Sequence, residues 1–555
     1  MTVRLGASCD HGPLKGTLMT GHIGYIVGET APQEFVFVTS RQLMPSRLEY
    51  LVIQNVTERL GEGERTVNVL AQVSEINVDS ALLSDALTYE ETESILRGEF
   101  APPPRVFGTA RVIGYLEGGA VRTPRSAPMP GHSVEIAPDE TLRAFFSRSS
   151  VSGLDIGILL NRPGVGVTLD VNGLRRHLSV IAQTGAGKSY LVGRLMECLM
   201  ERGATVLVLD PNSDYVHMRK LRTASSSPYS QVQATAFADQ VDVYRIPGVR
   251  GRRLSDDLIG GSTPFQVRFA ELSDDDVCDL AGIGANALRI REAVRDGIDQ
   301  LRAEGKDYRP QDLVERLVTN AEAGTRPAGD AIAYIRPLAG YPIWGYRSTD
   351  IDAMLQPCRL SVLDLAGLDR GLMGYVASRV LNVIWQRARG EGLIYPLFVV
   401  LEEAHNLVPG DGSKARALRL LQTIAAEGRK FMVFLIVVTQ RPSKVHQDVL
   451  SQCGSSVIMK LTNPDDQRAV QTASEAISAD LLANLPGLNT GEAIVIGPLT
   501  NVPAMIRVGE RQSAEGGADV DLVEALERAQ RSQRAERAAK TAAPSGRELQ
   551  KEPLL

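Results

Sequence analysis

At 555 residues, with 43% hydrophobic and 23% charged side chains, the chain is too long for one ordinary core and too balanced to be fibrous or disordered. Two or three globular domains are expected. With 60 Lys and Arg against 66 Asp and Glu, the net charge of −6 excludes a protein that is basic all over, so any nucleic acid must be met by a local patch.

Taken in chain order, residues 1–145 carry β-branched segments beginning at Glu34, Glu49, Arg65 and Arg105, several of them alternating. They predict a small β-barrel with one helix near 80–98. The Pro-rich segment 122–140 reads as the barrel's exit or a linker. From about 146 the pattern changes. "RRHLSVIAQTGAGKS" is an apolar strand entering a Gly-rich turn, and the helix after it repeats Leu191, Val192, Leu195 and Leu199 on one face. "ATVLVLDPNSDY" is a second buried strand ending in acids. Residues 255–350 lose the strand signal and predict an inserted, all-helical subdomain. Short apolar strands resume in 351–512. The expected fold class is therefore α/β: a doubly wound, mostly parallel sheet in two parts, 146–254 and 351–512. The tail, 513–555, is charged and predicts an exposed helix around Val520–Ala539 that then frays.

The five cysteines, Cys9, Cys198, Cys278, Cys358 and Cys453, are scattered, which excludes a disulfide framework or zinc spacing. The N-terminus lacks a signal-peptide core. The longest apolar run, Phe431 to Val438, falls far short of the ~20 residues that span a bilayer. A soluble cytoplasmic protein with no membrane partner is expected.

The chemistry begins at residues 182–189, "AQTGAGKS", which match G-x-x-x-x-G-K-[ST] except that Ala182 replaces the first glycine. Thr184, Gly185, Ala186 and Gly187 form a loop whose backbone N–H groups can face phosphates. Lys188 is placed for the β- and γ-phosphates of ATP and Ser189 for Mg²⁺. The strand Leu397–Leu401 ends in Glu402 and Glu403, at the edge where open α/β sheets bind nucleotides. Neighbours on a strand point to opposite faces. Glu402 is thus expected to hold the magnesium's water shell, and Glu403 to orient and deprotonate the attacking water. The next strand ends in Thr439 and Gln440, an amide that can sense the γ-phosphate or position water. Arg429 follows a helix that ends at Gly428; it either complements the helix dipole or, in a ring ATPase, reaches a neighbour's γ-phosphate. Asp210 and Asp214 lie near the crevice as outer ligands, with an N-cap or turn role the equal alternative for Asp214.

These segments together resemble the HerA-type hexameric DNA translocases of the HerA/FtsK superfamily. The resemblance is carried by "RHLSVIAQTGAGKS", "LVLDPNSDY", "SVLDLAG", "VVLEEAHNLVP", "EGRKFMVFLIVVTQRPSK", "NPDDQRAV" and "GEAIVIG". It implies a RecA-like P-loop NTPase core behind an N-terminal HAS-type barrel, and a homohexameric ring hydrolysing ATP around double-stranded DNA. Lys188 and Ser189 would bind nucleotide and Mg²⁺, Glu403 would be the catalytic acid, Gln440 the sensor, and Arg429 a finger acting in trans. Three positions depart from the family pattern: Ala182, Glu402 where Asp is usual, and "DPNSDY" where "DPHGEY" is usual. The implied partner is a NurA-like nuclease or another nuclease or sirtuin-like effector, in DNA end processing or antiphage defence. Lys414, Arg416, Arg419, Arg441 and Lys444 are the candidate channel residues. A ring scaffold that uses ATP to gate a partner enzyme, without processive movement, is the alternative.

Overall fold

The computed structural model describes residues 21–60, 63–97, 104–147, 153–222, 238–410, 417–474, 476–516 and 522–542. Alternating apolar and polar residues give the N-terminal strands one buried face, seen most cleanly in β2 and β5. In order they are β1 (His22–Thr30), β2 (Glu34–Thr39), β3 (Tyr50–Leu60), β4 (Gly63–Asp79), β5 (Arg105–Glu117), β6 (Ala120–Arg122) and β7 (Ser133–Ile136). Their pairing runs β2-β1-β7-β3-β4-β5, and β5 returns to β2, so six strands close a barrel. Ile26, Phe35, Phe37, Leu51, Ile53 and Val73 fill it.

The expected helix near 80–98 is Tyr89–Arg97, with no buried residue. One expectation is corrected. The segment 122–140 is more than an exit, because β7 lies within it and pairs with both β1 and β3. Four residues between Pro- and Gly-rich flanks are too few to show alternation, yet they supply the strand that closes the ring.

The second sheet has twelve strands: β8 (Gly153–Leu159), β9 (Arg162–Asp170), β10 (Leu178–Ile181), β11 (Thr205–Asp210), β12 (Val241–Arg245), β13 (Thr263–Pro264), β14 (Leu360–Asp364), β15 (Leu397–Leu401), β16 (Val433–Thr439), β17 (Ser455–Met459), β18 (Glu492–Ile496) and β19 (Ala504–Val508). Their order is β13-β12-β14-β11-β15-β16-β10-β17-β18-β19-β8-β9, parallel from β13 to β17 and antiparallel beyond. The parallel strands are covered on both faces, which is why they read as unbroken apolar runs. Successive side chains still alternate: Leu207 and Leu209 enter one core, Val206 and Val208 the other. The fold is a RecA-like P-loop core with a small N-terminal barrel and a helical insertion. The hairpin β8–β9, which the sequence pattern does not announce, docks on β19 and lengthens the sheet.

The insertion consists mainly of the helices Asp274–Leu280, Leu288–Ala303, Pro310–Glu322 and Arg326–Ile335. Its anchor is Phe269, in edge contact with Tyr308 and Trp344. The last helix spans Leu522–Ala542, close to its expected limits. The fraying expected beyond it, and the channel candidates Lys414 and Arg416, lie outside the described residues. Among the described residues no helix is long and apolar enough to cross a membrane.

His177 joins the P-loop strand's entry to the neighbouring layer. Its Nδ1 accepts from the Leu435 N–H at 2.8 Å, and its Nε2 lies 3.0 Å from the Ala425 carbonyl. That pattern requires a neutral ring protonated at Nε2. Burial lowers the imidazole pKa from 6.5 to about 4; the Ala425 carbonyl opposes this and Arg429 adds to it. A pKa depressed in the fold contributes stability above 6.5 that is lost as pH falls toward 4, up to roughly 3 kcal/mol. His177→Gln should therefore show a shallower fall in Tm than wild type between pH 6.5 and 4. Thermal unfolding at a series of pH values checks this, and equal slopes would refute it.

Candidate functional site

Strand β10 ends at Ile181, and the chain turns through residues 182–187 into the helix Lys188–Glu201. Ala182 still behaves as strand. It is fully buried and its N–H donates to the Thr439 carbonyl at 3.3 Å. Gly185 and Gly187 instead take φ of +79° and +99°, a conformation that side chains oppose. The loop thus keeps glycine where the backbone is left-handed. The substituted position has no such need, which explains how Ala182 is accommodated.

Lys188 opens the helix yet is only 5% exposed. Its Nζ donates to Glu402 Oε2 at 2.7 Å and to Glu403 Oε1 at 2.9 Å. Burial would lower its pKa, but the two carboxylates outweigh that and hold it above the ordinary lysine value. Glu402 is 1% exposed, and burial raises its pKa against the pull of Lys188.

The two glutamates do not diverge as expected for neighbours on a strand. β15 stops at Leu401, and Glu403 adopts φ +46°. That left-handed turn swings both carboxylates to the same ammonium. Glu403 is 7% exposed; its Oε1 also accepts from Gln440 Nε2 at 2.7 Å. Its Oε2 is buried with no hydrogen bond, 3.3 Å from His405 Nδ1. Gln440 completes the bridge, since its Oε1 accepts from Thr184 Oγ1 in the loop at 2.5 Å. The sheet order makes this possible: β16, which ends next to Gln440, lies between β10 and β15.

On the other flank Ser189 Oγ donates to Asp214 Oδ2 at 2.9 Å. Asp210 is a turn-former. Its carboxylate accepts the N–H groups of Asn212, Asp214 and Tyr215, while burial and the nearby Asp214 and Asp364 raise its pKa. The turn delivers Tyr215, whose hydroxyl donates to Glu402 Oε1. Sequence reasoning passed over Tyr215; its only signal was its place after a strand-end acid. His405 was passed over as well, within "EEAHN".

Residues 513–516, expected to begin the charged tail, instead continue from Arg511 and Gln512 as a strap on the P-loop helix. Arg511 Nη1 donates to the Ser189 carbonyl, and its N–H to the Tyr190 hydroxyl. The buried Glu197 accepts from the N–H groups of Gln512 and Ser513. Loop, Asp214, Gln440 and the strap residue Gly516 line one open cleft of about 460 Å³.

Arg429 is not part of this cleft. It is exposed in the 3-10 turn Gly428–Phe431 and lines a separate cavity with Arg176 and His177. Arg419 is exposed on its helix, away from the cleft lining. Arg441 and Lys444 share a third cavity with Asp465 and Asp466, so the charge there is mixed.

The donor set fits a magnesium nucleotide. Loop N–H groups, one ammonium and hard oxygen ligands converge, and the partnerless Glu403 Oε2 faces no competing donor but His405. Among the described residues no cluster of His, Cys, Asp or Glu forms a metal cage.

The central-domain model of the helicase HerA matches residues 154–384. A probable helicase from Methanocaldococcus jannaschii is 31% identical over 90% of this chain and 93% of its own length. The DNA double-strand break repair helicase HerA of Pyrococcus furiosus is 28% identical over 90% of this chain and 94% of its own. That of Sulfurisphaera tokodaii is 25% identical over 90% and 96%. With 90% of the chain covered by these relatives, one of them 31% identical, the chain belongs to the HerA family of helicases and is an ATP-hydrolysing enzyme.

Proposed function

We propose that the protein is an ATP-dependent translocase on double-stranded DNA, working as a homohexameric ring with a separate nuclease or effector in DNA end processing or defence. The reading rests on one observation: the buried Lys188, Glu402 and Glu403 and the half-buried Gln440 form a single hydrogen-bonded cluster tied to the loop at Thr184. The names of its relatives, DNA double-strand break repair helicases, support the choice of DNA.

In this reading the loop N–H groups of Thr184, Gly185 and Gly187 and the Lys188 ammonium take the phosphates, while the Ala186 N–H closes the turn on the Gln183 carbonyl. Ser189 and Glu402 would hold Mg²⁺, which when bound neutralises phosphate charge. Phosphate oxygens compete with the two carboxylates for Lys188, so substrate arrival frees Glu403. Glu403 then accepts the proton of the attacking water, and Oε2, already without a hydrogen-bond donor, is the free lone pair. Gln440, joined to both Glu403 and Thr184, reports which side of the cleft is occupied. Tyr215 fixes the orientation of Glu402. Arg429, exposed and outside its own subunit's cleft, serves a neighbour's site. The barrel, which contributes nothing to the cleft, is the docking surface for a NurA-like nuclease or sirtuin-like effector.

Steady-state ATP hydrolysis with and without long linear duplex DNA is the direct test. DNA should stimulate turnover, and the motor should displace a roadblock bound to the duplex. Stimulation without displacement would favour an ATP-gated scaffold. Lys188→Ala should abolish nucleotide binding, and hydrolysis retained in that variant would place the site elsewhere. Glu403→Gln should keep nucleotide affinity but lower kcat by about 10²–10⁴. Arg429→Ala should also bind normally and lose about 10³ or more in kcat. Mixing these last two variants under conditions of subunit exchange should restore part of the activity; no recovery would exclude action in trans.

A further inference from the structure

Arg245 closes β12 on the same C-terminal rim of the parallel sheet that carries the P-loop, five strands away. Its side chain is 2% exposed. Nε donates to Asp364 Oδ2 at 2.7 Å, and Nη1 donates to the Leu254 carbonyl and to Asp256 Oδ1. Arg252 lies beside it, with Nε on the Ala366 carbonyl and Nη1 on the Ile246 carbonyl. Each guanidinium is left with its Nη2 buried and without a hydrogen-bond partner. Burying a charged donor unpaired is costly.

Both arginines line one cavity of about 430 Å³, and the exposed Arg253 lines its mouth. Among the described residues lining it, these three cations face one carboxylate, Asp256, which is already engaged by Arg245 and Ser262. Asp364 balances Arg245 from beneath, whereas Arg252 touches only carbonyl oxygens. Burial and the adjacent Arg245 pull the Arg252 guanidinium below its ordinary value, partly offset by Asp364. Planar donors at the wall of a cavity with a cationic mouth match a tetrahedral, multiply charged oxyanion.

We propose that this cavity is a second phosphate site, separate from the P-loop, in which Arg253 admits a phosphate group and the guanidinium groups of Arg245 and Arg252 hold it. The site is joined to the nucleotide cleft by contacts already present. Asp364 Oδ1 accepts from Ser213 Oγ at 2.9 Å, and the next residue, Asp214, holds Ser189. Arg253 itself lines both cavities. The phosphate group belongs either to a small oxyanion or to a nucleic-acid backbone, and two measurements separate the sources.

The full chain is first loaded with Mg²⁺ and a non-hydrolysable ATP analogue, so that the P-loop is filled through its γ-position. Inorganic phosphate is then titrated against chloride at equal ionic strength while Tm is followed. A small-oxyanion site predicts a saturable rise in Tm, with half-saturation moved at least about tenfold higher in Arg252→Ala. Arg253→Ala, at an exposed position, should show the same loss if Arg252→Ala folds poorly. The second measurement is duplex-DNA affinity as a function of salt. A backbone phosphodiester in the site predicts that the slope of log K on log salt is shallower by about 1 in each of these single variants. An unchanged slope with an abolished Tm response assigns the site to a small oxyanion. The proposal is overturned if phosphate gives no shift, or an equal shift in wild type and variants, while the salt slope stays unchanged. Binding of the ATP analogue alone tests the P-loop reading, so the two can fail separately.

Discussion

The ammonium of Lys188 between the carboxylates of Glu402 and Glu403 is the contact around which the core is arranged. None of the three side chains is well solvated, so each depends on the others for compensation. One positive charge against two negative ones leaves the cluster locally anionic and short of donors. Tyr215 and Gln440 supply two of them. A cation site this deep also fixes geometry: the P-loop cannot drift from the end of β15 without stranding a charge in the interior.

Sheet order meets that requirement. Because β16 separates β10 from β15, the lysine reaches across one strand's width, and Gln440, just after that intervening strand, can touch both sides. The strap from Arg511 onward presses on the opposite face of the P-loop helix through Glu197 and the Ser189 carbonyl. The loop is therefore held from two directions, by charge on one side and by backbone hydrogen bonds on the other.

Much of this was legible in the sequence, and for a definite reason. Parallel strands buried on both faces announce themselves as apolar runs, and their chemistry sits at their ends, so Glu402, Glu403 and Gln440 could be found from strand ends and Lys188 from the Gly-rich loop that follows one. What escaped was whatever depends on backbone departures or on distant pairing. The left-handed turn at Glu403 has no residue-level signature, since glutamate rarely adopts it. Tyr215 reaches Glu402 across 187 positions of sequence. The strand β7 is too short to show a period, and the hairpin β8–β9 becomes recognisable as part of the core sheet only through its docking on β19. The strap looks like a charged tail because its anchoring groups are mainly backbone N–H, which composition does not reveal.

The closure of the barrel carries its own consequence for association. A sheet that ends in open strands can be extended by another chain's backbone, almost regardless of that chain's sequence. Here β5 returns to β2, and among the described residues the ring of six leaves no such rim apart from the three-residue β6. Recognition at the barrel must then be written in side chains and loops, where a single substitution can change a partner. Such a surface can diverge from one relative to the next while the motor beneath it stays the same.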